Sequence, residues 1–190
     1  MHLTQLLVPT LTHQLTALTG WLDKAEAFAA GRGQQPDELL TLRLAPDMFP
    51  LATQLRFAAF QAQEPVFRLR GKEVTAEVLA VRQEGRDAGE RPGTMAAARV
   101  RINEALALLA SVGPDELDAM ADRPIVHDLP TGMVFDMTGA TYVRDWALPQ
   151  AAFHQMAAYA LLRHAGVPLG KADYVPHMFA YLRPGTGPGA

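Results

Sequence analysis

The sequence contains no cysteine. Disulfide bonds, thiolate zinc sites and a cysteine nucleophile are therefore excluded. The chain is also poor in charge, since only 19% of its 190 residues are charged and its 20 acidic residues outnumber its 17 basic ones. A nucleic-acid-binding protein usually carries a basic face, and no run of Lys or Arg supplies one here. We therefore expect no nucleic-acid partner.

Long apolar runs are absent as well. No stretch reaches the roughly 18 consecutive apolar residues that a membrane-spanning helix needs. The first segment, MHLTQLLVPTLTHQLTALTGW, lacks the basic start and the uninterrupted apolar stretch of a signal peptide. The sequence thus predicts no membrane association and a cytoplasmic location.

Hydrophobic residues make up 49% of the chain, and much of this content recurs at helical spacing. Apolar residues at steps of three or four predict a first helix over residues 3–30, closed by Gly31 and Gly33. The same spacing predicts a second helix over residues 47–69, with Asp47 as its N-cap and a kink at Pro65. The stripe of the first helix consists of Leu3, Leu7, Leu11, Leu15, Leu18, Leu22 and Ala25.

The second half of the chain predicts two further long helices, over residues 94–112 and 140–165. Pro149 should bend the last of these. Between them, two short apolar runs flank a Pro-Thr-Gly turn at residues 130–132, a pattern typical of a β-hairpin. Residues 71–93 hold several glycines among charges and favour a loop, within which residues 74–81 fit a short helix or a strand equally well.

Four amphipathic helices with one apolar stripe each can bury those stripes together as a four-helix bundle. We therefore predict a mainly α-helical protein with a small β-hairpin before its last long helix. Residues 1–183 should form a single domain. The tail 184–190, rich in Gly and Pro, should be disordered.

Histidines are the first candidates for chemistry. On a helical wheel, His154 and His164 both fall on the inner face of the last helix or at its edge. They are ten residues apart, or about 15 Å along the helix axis, so the two imidazoles cannot share one metal ion. Each histidine is expected to hydrogen-bond a neighbouring helix. The alternative for His154 is to bind a metal ion together with residues of other helices, such as Asp47, His13 or Glu64.

The candidate catalytic residues are thus His154, His164 and Asp47, although a helix cap is the plainer role for Asp47. No metal ligand set and no cofactor motif is predicted, because the glycine-rich phosphate loop, the GxSxG turn and the HExxH motif are all missing. Three further histidines, His2, His127 and His177, should lie on the surface.

Four stretches of the chain resemble an uncharacterised bacterial domain-of-unknown-function family that is grouped with the DinB/YfiT-like bundles. They are residues 22–27 (LDKAEA), 42–51 (LRLAPDMFPL), 146–154 (WALPQAAFH) and 159–173 (YALLRHAGVPLGKAD). The resemblance implies an up-down-down-up four-helix bundle that often forms homodimers. Classical DinB-like proteins resemble metalloenzymes. They hold a divalent metal with one His on the second helix and a His-x-x-x-His pair on the fourth, so the resemblance implies a search for the same three ligands here.

This sequence departs from that ligand pattern. Its predicted second helix contains no His, and its fourth helix has Gln150 and His154 where the pair would be. Three functions stay open at this point. The bundle could bind a small molecule between its helices without a metal, act as a divergent metal-dependent transferase or hydrolase through His154, or serve as an assembly subunit.

Overall fold

The computed structural model describes residues 2–129 and 131–186. Four long helices form the body of the protein: α1 (Leu3–Gly31), α2 (Leu51–Leu69), α4 (Met95–Ala110) and α6 (Leu148–His164). Among the four long helices, α1 and α2 occupy one diagonal, because each packs against α4 and α6 far more than against the other. The prediction of a mainly α-helical bundle is confirmed. No helix in the described ranges combines the length and the apolar character needed to cross a membrane.

Shorter elements connect these helices. Helix α3 (Ala76–Asp87) packs on α2, and the hairpin of β1 (Pro124–Asp128) and β2 (Val134–Thr138) precedes the last long helix, as predicted. Helix α5 (Gly139–Thr141) leads into a π-helix (Tyr142–Ala147), and α7 (Lys171–Tyr174) follows α6. The remaining elements are three 3-10 helices, Pro36–Thr41, Asp118–Met120 and Pro176–Tyr181.

The segment predicted as a loop, residues 71–93, instead contains α3. Only three residues of α3 are buried, Val78, Val81 and Gly85, so its apolar stripe is too narrow to stand out from the charged residues around it. Gly85 allows the close approach to α2, because a Cβ there would lie 2.5 Å from the ring of Phe57. The glycine that suggested a loop is therefore a contact point between two helices.

The start of α2 also differs from the prediction. The helix begins at Leu51, its N-cap is Pro50, and no side chain caps it. Asp47 lies four residues before the helix and is exposed. The prediction that Asp47 caps α2 is wrong, because the Pro50 ring, with its fixed φ of −73° in extended geometry, sets the point where the chain turns into the helix.

The last long helix is distorted on the N-terminal side of Pro149. Proline has no N–H, so Pro149 cannot donate to the carbonyl of Asp145 four residues earlier. The chain widens there into the π-helix Tyr142–Ala147 before α6 continues with Pro149 in its first turn. The bend predicted at Pro149 is thus present as the π-helix that precedes it. Pi-helical turns are frequent at functional sites, and this one carries Trp146.

A close backbone contact joins the two ends of the hairpin, between the segment before β1 and the start of α5. The amide of Gly139 donates to the carbonyl of Arg123 at 3.0 Å, and the amide of Ala140 donates to the carbonyl of Ala121 at 2.9 Å. A Cβ on Gly139 would lie 2.1 Å from the carbonyl oxygen of Met120. Only glycine fits here without moving the backbone. Of the predicted tail, residues 184–186 follow Arg183 in a turn, and residues 187–190 lie outside the described ranges.

We expect Gly139→Ala to lower the free energy of unfolding by about 1–3 kcal/mol, because the added methyl group overpacks a rigid backbone contact. The measurement is urea denaturation followed by circular dichroism. Gly20→Ala is the matched control: Gly20 lies in α1 with nothing within 4 Å of its added Cβ, so alanine should stabilise the helix by about 0.5–1 kcal/mol. Equal effects of the two substitutions would contradict the proposed contact.

Candidate functional site

A cavity of about 210 Å³ lies where α2, α3, the end of β1 and the last long helix meet. Four side chains of α2, two of α3, three from β1 and the residue after it, and three from the π-helix and α6 line it. Both of the most buried histidines of the described chain, His127 and His154, are among them. We take this cavity as the candidate functional site because it joins aromatic walls to convergent polar groups.

His154 faces this cavity from α6 and is only 8% exposed. Its Nδ1 lies 2.9 Å from Oε1 of Gln54 on α2. Because an amide oxygen can only accept, Nδ1 carries the proton and Nε2 is left as an acceptor. Burial lowers the pKa of His154 from 6.5 to about 4, so the imidazole is neutral at pH 7. This is the inward, hydrogen-bonded histidine that the helical wheel allowed.

His127 was predicted to lie on the surface, and that prediction is wrong. It is 2% exposed, because β1 alternates outward and inward residues and places His127 on the inner face with Ile125. Burial, reinforced by Arg68 and Arg82 and opposed by Asp128, lowers its pKa from 6.5 to about 4. The period of two in the strand was the sequence signal that pointed to this orientation.

Several buried polar atoms at the cavity have no hydrogen-bond partner among the described residues. They are both ring nitrogens of His127, Nε1 of Trp146 and Oε1 of Gln61. The rings of His127 and Trp146 lie 4.5 Å apart, centroid to centroid. Most buried polar groups in proteins are paired, and each unpaired one costs about 1–3 kcal/mol. Three side chains with unused hydrogen-bonding capacity therefore meet at this one cavity.

The charged side chains around the cavity include one ion pair, Glu64 with Arg68, and two arginines of α3, Arg82 and Arg86. Glu64, 3% exposed, accepts from Nε and Nη2 of Arg68 at 3.0 and 2.9 Å, so its charge is balanced. Arg82 lies over the ring of Phe60, with its guanidinium carbon 5.3 Å from the ring centroid. Arg86 follows one turn later on α3 and is exposed.

The other sequence candidates do not join this site. His164 is exposed at the C-terminal end of α6, because it lies on the outward face of that helix with Phe153, which is 59% exposed. Asp47 is exposed and does not line the cavity. His177, which was also predicted to be exposed, is half-buried and stacks on His13 with ring centroids 4.3 Å apart.

The donors around His154 do not fit the metal centre that the DinB-like resemblance implies. The nearest polar side chain is the Gln54 amide, already hydrogen-bonded to His154, and Gln150 supplies a second amide at the cavity. Divalent transition metals prefer imidazole, thiolate and carboxylate ligands, and one neutral imidazole with two amides falls short of that set. Among the described residues, three His, Asp or Glu side chains converge within ligand distance only at the exposed start of α1, away from this cavity.

We expect His154→Gln to reduce the acid sensitivity of the protein. The folded state holds His154 with a pKa lowered to about 4, so the unfolded state binds the proton more readily and stability falls as the pH drops from 6.5 towards 4. By linkage, His154 should account for about 2–3 kcal/mol of the stability lost between pH 7 and pH 4.5. Urea denaturation at both pH values measures this loss in wild type and variant. Parallel losses in the two proteins would show that His154 does not resist protonation.

Comparison with known proteins identifies the family and the fold of the chain. A family model described as a domain of unknown function (DUF1993) matches residues 3–175. A solved structure of a DinB family member protein from Shewanella denitrificans is 31% identical, with a TM-score of 0.72 over 98% of this chain and 96% of that one. No curated protein matches significantly. The chain therefore belongs to the DUF1993 family of domains of unknown function, with the fold of the DinB-like helical bundles.

Proposed function

We propose that this protein binds a small molecule, without a metal, in the cavity between α2, α3, β1 and α6. The observation that carries the proposal is the set of unpaired buried atoms on Gln61, His127 and Trp146 at one cavity. A folded protein tolerates such atoms when a ligand pairs with them or when function requires them. The π-helix adds support, because it presents Trp146 at this cavity.

The volume of the cavity limits the size of the molecule. Pockets for drug-sized ligands usually measure about 300–1,000 Å³, and this cavity measures about 210 Å³. A cavity of roughly 150 Å³ is large enough to hold benzene. The expected ligand is therefore about as large as one six-membered ring with one or two substituents.

The metal-dependent transferase or hydrolase is the less favoured function. It would require carboxylates beside the free Nε2 of His154, and among the described residues no group of three His, Asp or Glu side chains converges there. Glu64, the buried carboxylate of the cavity, is already held by two hydrogen bonds from Arg68.

Filling the cavity should abolish binding. We expect benzamide and 4-hydroxybenzamide to bind the wild-type protein at millimolar or lower concentration in isothermal titration calorimetry, and Gln150→Phe to weaken both at least tenfold. Gln5→Phe adds the same ring at an exposed position of α1 and should leave binding unchanged. The proposal fails if neither the two amides nor the corresponding acids bind the wild-type protein, or if both phenylalanine variants bind as it does.

The homodimer implied by the family resemblance stays a proposal. Two apolar side chains on one face of α6 are exposed to an unusual degree, Phe153 by 59% and Met156 by 49%. If this face joins two copies, Phe153→Asp should convert the protein to a monomer in multi-angle light scattering, while Leu44→Asp, at a similarly exposed site, should not. A wild-type protein that is monomeric at high concentration would exclude the dimer.

A further inference from the structure

Two arginines at the cavity lack partners. Arg82 and Arg86 stand one helical turn apart on α3, and neither makes an ion pair or a hydrogen bond with any residue that the structure describes. Like charges at this spacing repel each other. By contrast, the third arginine nearby, Arg68, is fully engaged with Glu64. The cavity thus holds two guanidinium groups whose hydrogen-bonding capacity is unused.

The local charge balance favours an anion. The Glu64–Arg68 pair is neutral, and His127 and His154 are uncharged at pH 7 because burial lowers both pKa values to about 4. The charges that remain on the cavity lining are those of Arg82, Arg86 and the single carboxylate of Asp128. Their sum is one net positive charge. A guanidinium group recognises a carboxylate with two parallel charge-assisted hydrogen bonds, and a neutral carboxamide can accept only one, without the ionic contribution.

The walls favour a flat molecule. Phe57, Phe60 and Trp146 line the cavity together with the two imidazoles, and the rings of Phe57 and His154 meet edge to face with centroids 5.0 Å apart. Aromatic side chains attract other rings in stacked and edge-to-face arrangements. Arg82 is held over Phe60, so the cationic and aromatic parts of the site adjoin each other.

We infer that the ligand is a planar, single-ring carboxylate, aromatic or heteroaromatic, whose ring lies among Phe57, Phe60 and Trp146 and whose carboxylate pairs with Arg82 and Arg86. This inference rests on the proposed function, because it assigns a chemical class to the molecule in the same cavity. The unpaired atoms of Gln61, His127 and Trp146 add one further feature. They offer both donors and acceptors, so a polar substituent or ring nitrogen on the ligand is recognised there.

Matched pairs of acids and amides test this inference. The probes are benzoate, 4-hydroxybenzoate and nicotinate, each beside its carboxamide, titrated by calorimetry into the full chain at pH 7. We expect at least one acid to bind tenfold or more tightly than its amide. Arg82→Gln and Arg86→Gln should each remove most of this preference, because each weakens the acid far more than its amide. Arg163→Gln, at an exposed position near the end of α6, is the control and should bind as wild type does.

The outcomes separate the inference from the proposed function. Amides that bind as tightly as their acids, or an acid preference that survives both arginine substitutions, would overturn the carboxylate assignment and leave the cavity as a ligand site. Failure of all six probes to bind the wild-type protein would overturn both. If an arginine variant unfolds, the salt dependence of wild-type binding decides: the acid affinity should fall between 50 mM and 500 mM NaCl, and a constant acid affinity would count against the ion pair.

Discussion

Helix α2 is enclosed by protein on almost every side, and fifteen of its nineteen residues are buried. Its polar side chains must therefore find partners inside the protein, because leaving them unpaired away from water is costly. Gln54 meets His154, Arg56 donates to the carbonyl of Ala52, Gln63 donates to that of Ala59, and Glu64 holds Arg68. The rest of the bundle is arranged around these requirements, with α3, α4 and α6 packed directly on α2.

Among the described residues this pairing is incomplete at Thr53 and at Gln61, and Gln61 lines the cavity. Gln61 is on α2, one turn before Pro65, and its side-chain oxygen has no partner among the described residues. The hairpin brings His127 to the same place, and the π-helix brings Trp146. Three separate elements thus each deliver an unpaired polar group to one small aromatic space. Packing alone would not require this, since an apolar residue at any of the three positions would avoid the cost.

Much of the fold could be predicted from the sequence, because α1, α4 and the hairpin each show a plain periodicity. Helix α3 could not, since only Val78 and Val81 of its apolar residues are buried and its third buried position is a glycine whose role depends on Phe57. The site could be predicted only in part. A helical wheel turned His154 inward, but it also turned His164 inward, because His164 lies beside the apolar Phe153, which faces outward in the structure. The inward position of His127 follows only from the alternation of residues along β1. The presence of Arg82 and Arg86 at the cavity follows only from the packing of α3 on α2.

Membership in a DinB-like family does not settle the chemistry, because fold and function are only loosely tied. Here no group of three His, Asp or Glu side chains among the described residues converges at His154, so its surroundings suit a hydrogen-bonded organic molecule better than a metal ion. The most direct measurement is a ¹H–¹⁵N NMR titration that follows the two tryptophan indole N–H signals with 4-hydroxybenzoate. Among the described residues Trp146 has no partner for its indole nitrogen, whereas Trp21 donates to the carbonyl of Asp173 at 2.7 Å. We predict that the Trp146 signal, assigned with Trp146→Phe, shifts on binding and that the Trp21 signal does not. A saturating titration that leaves the Trp146 signal in place would contradict the account.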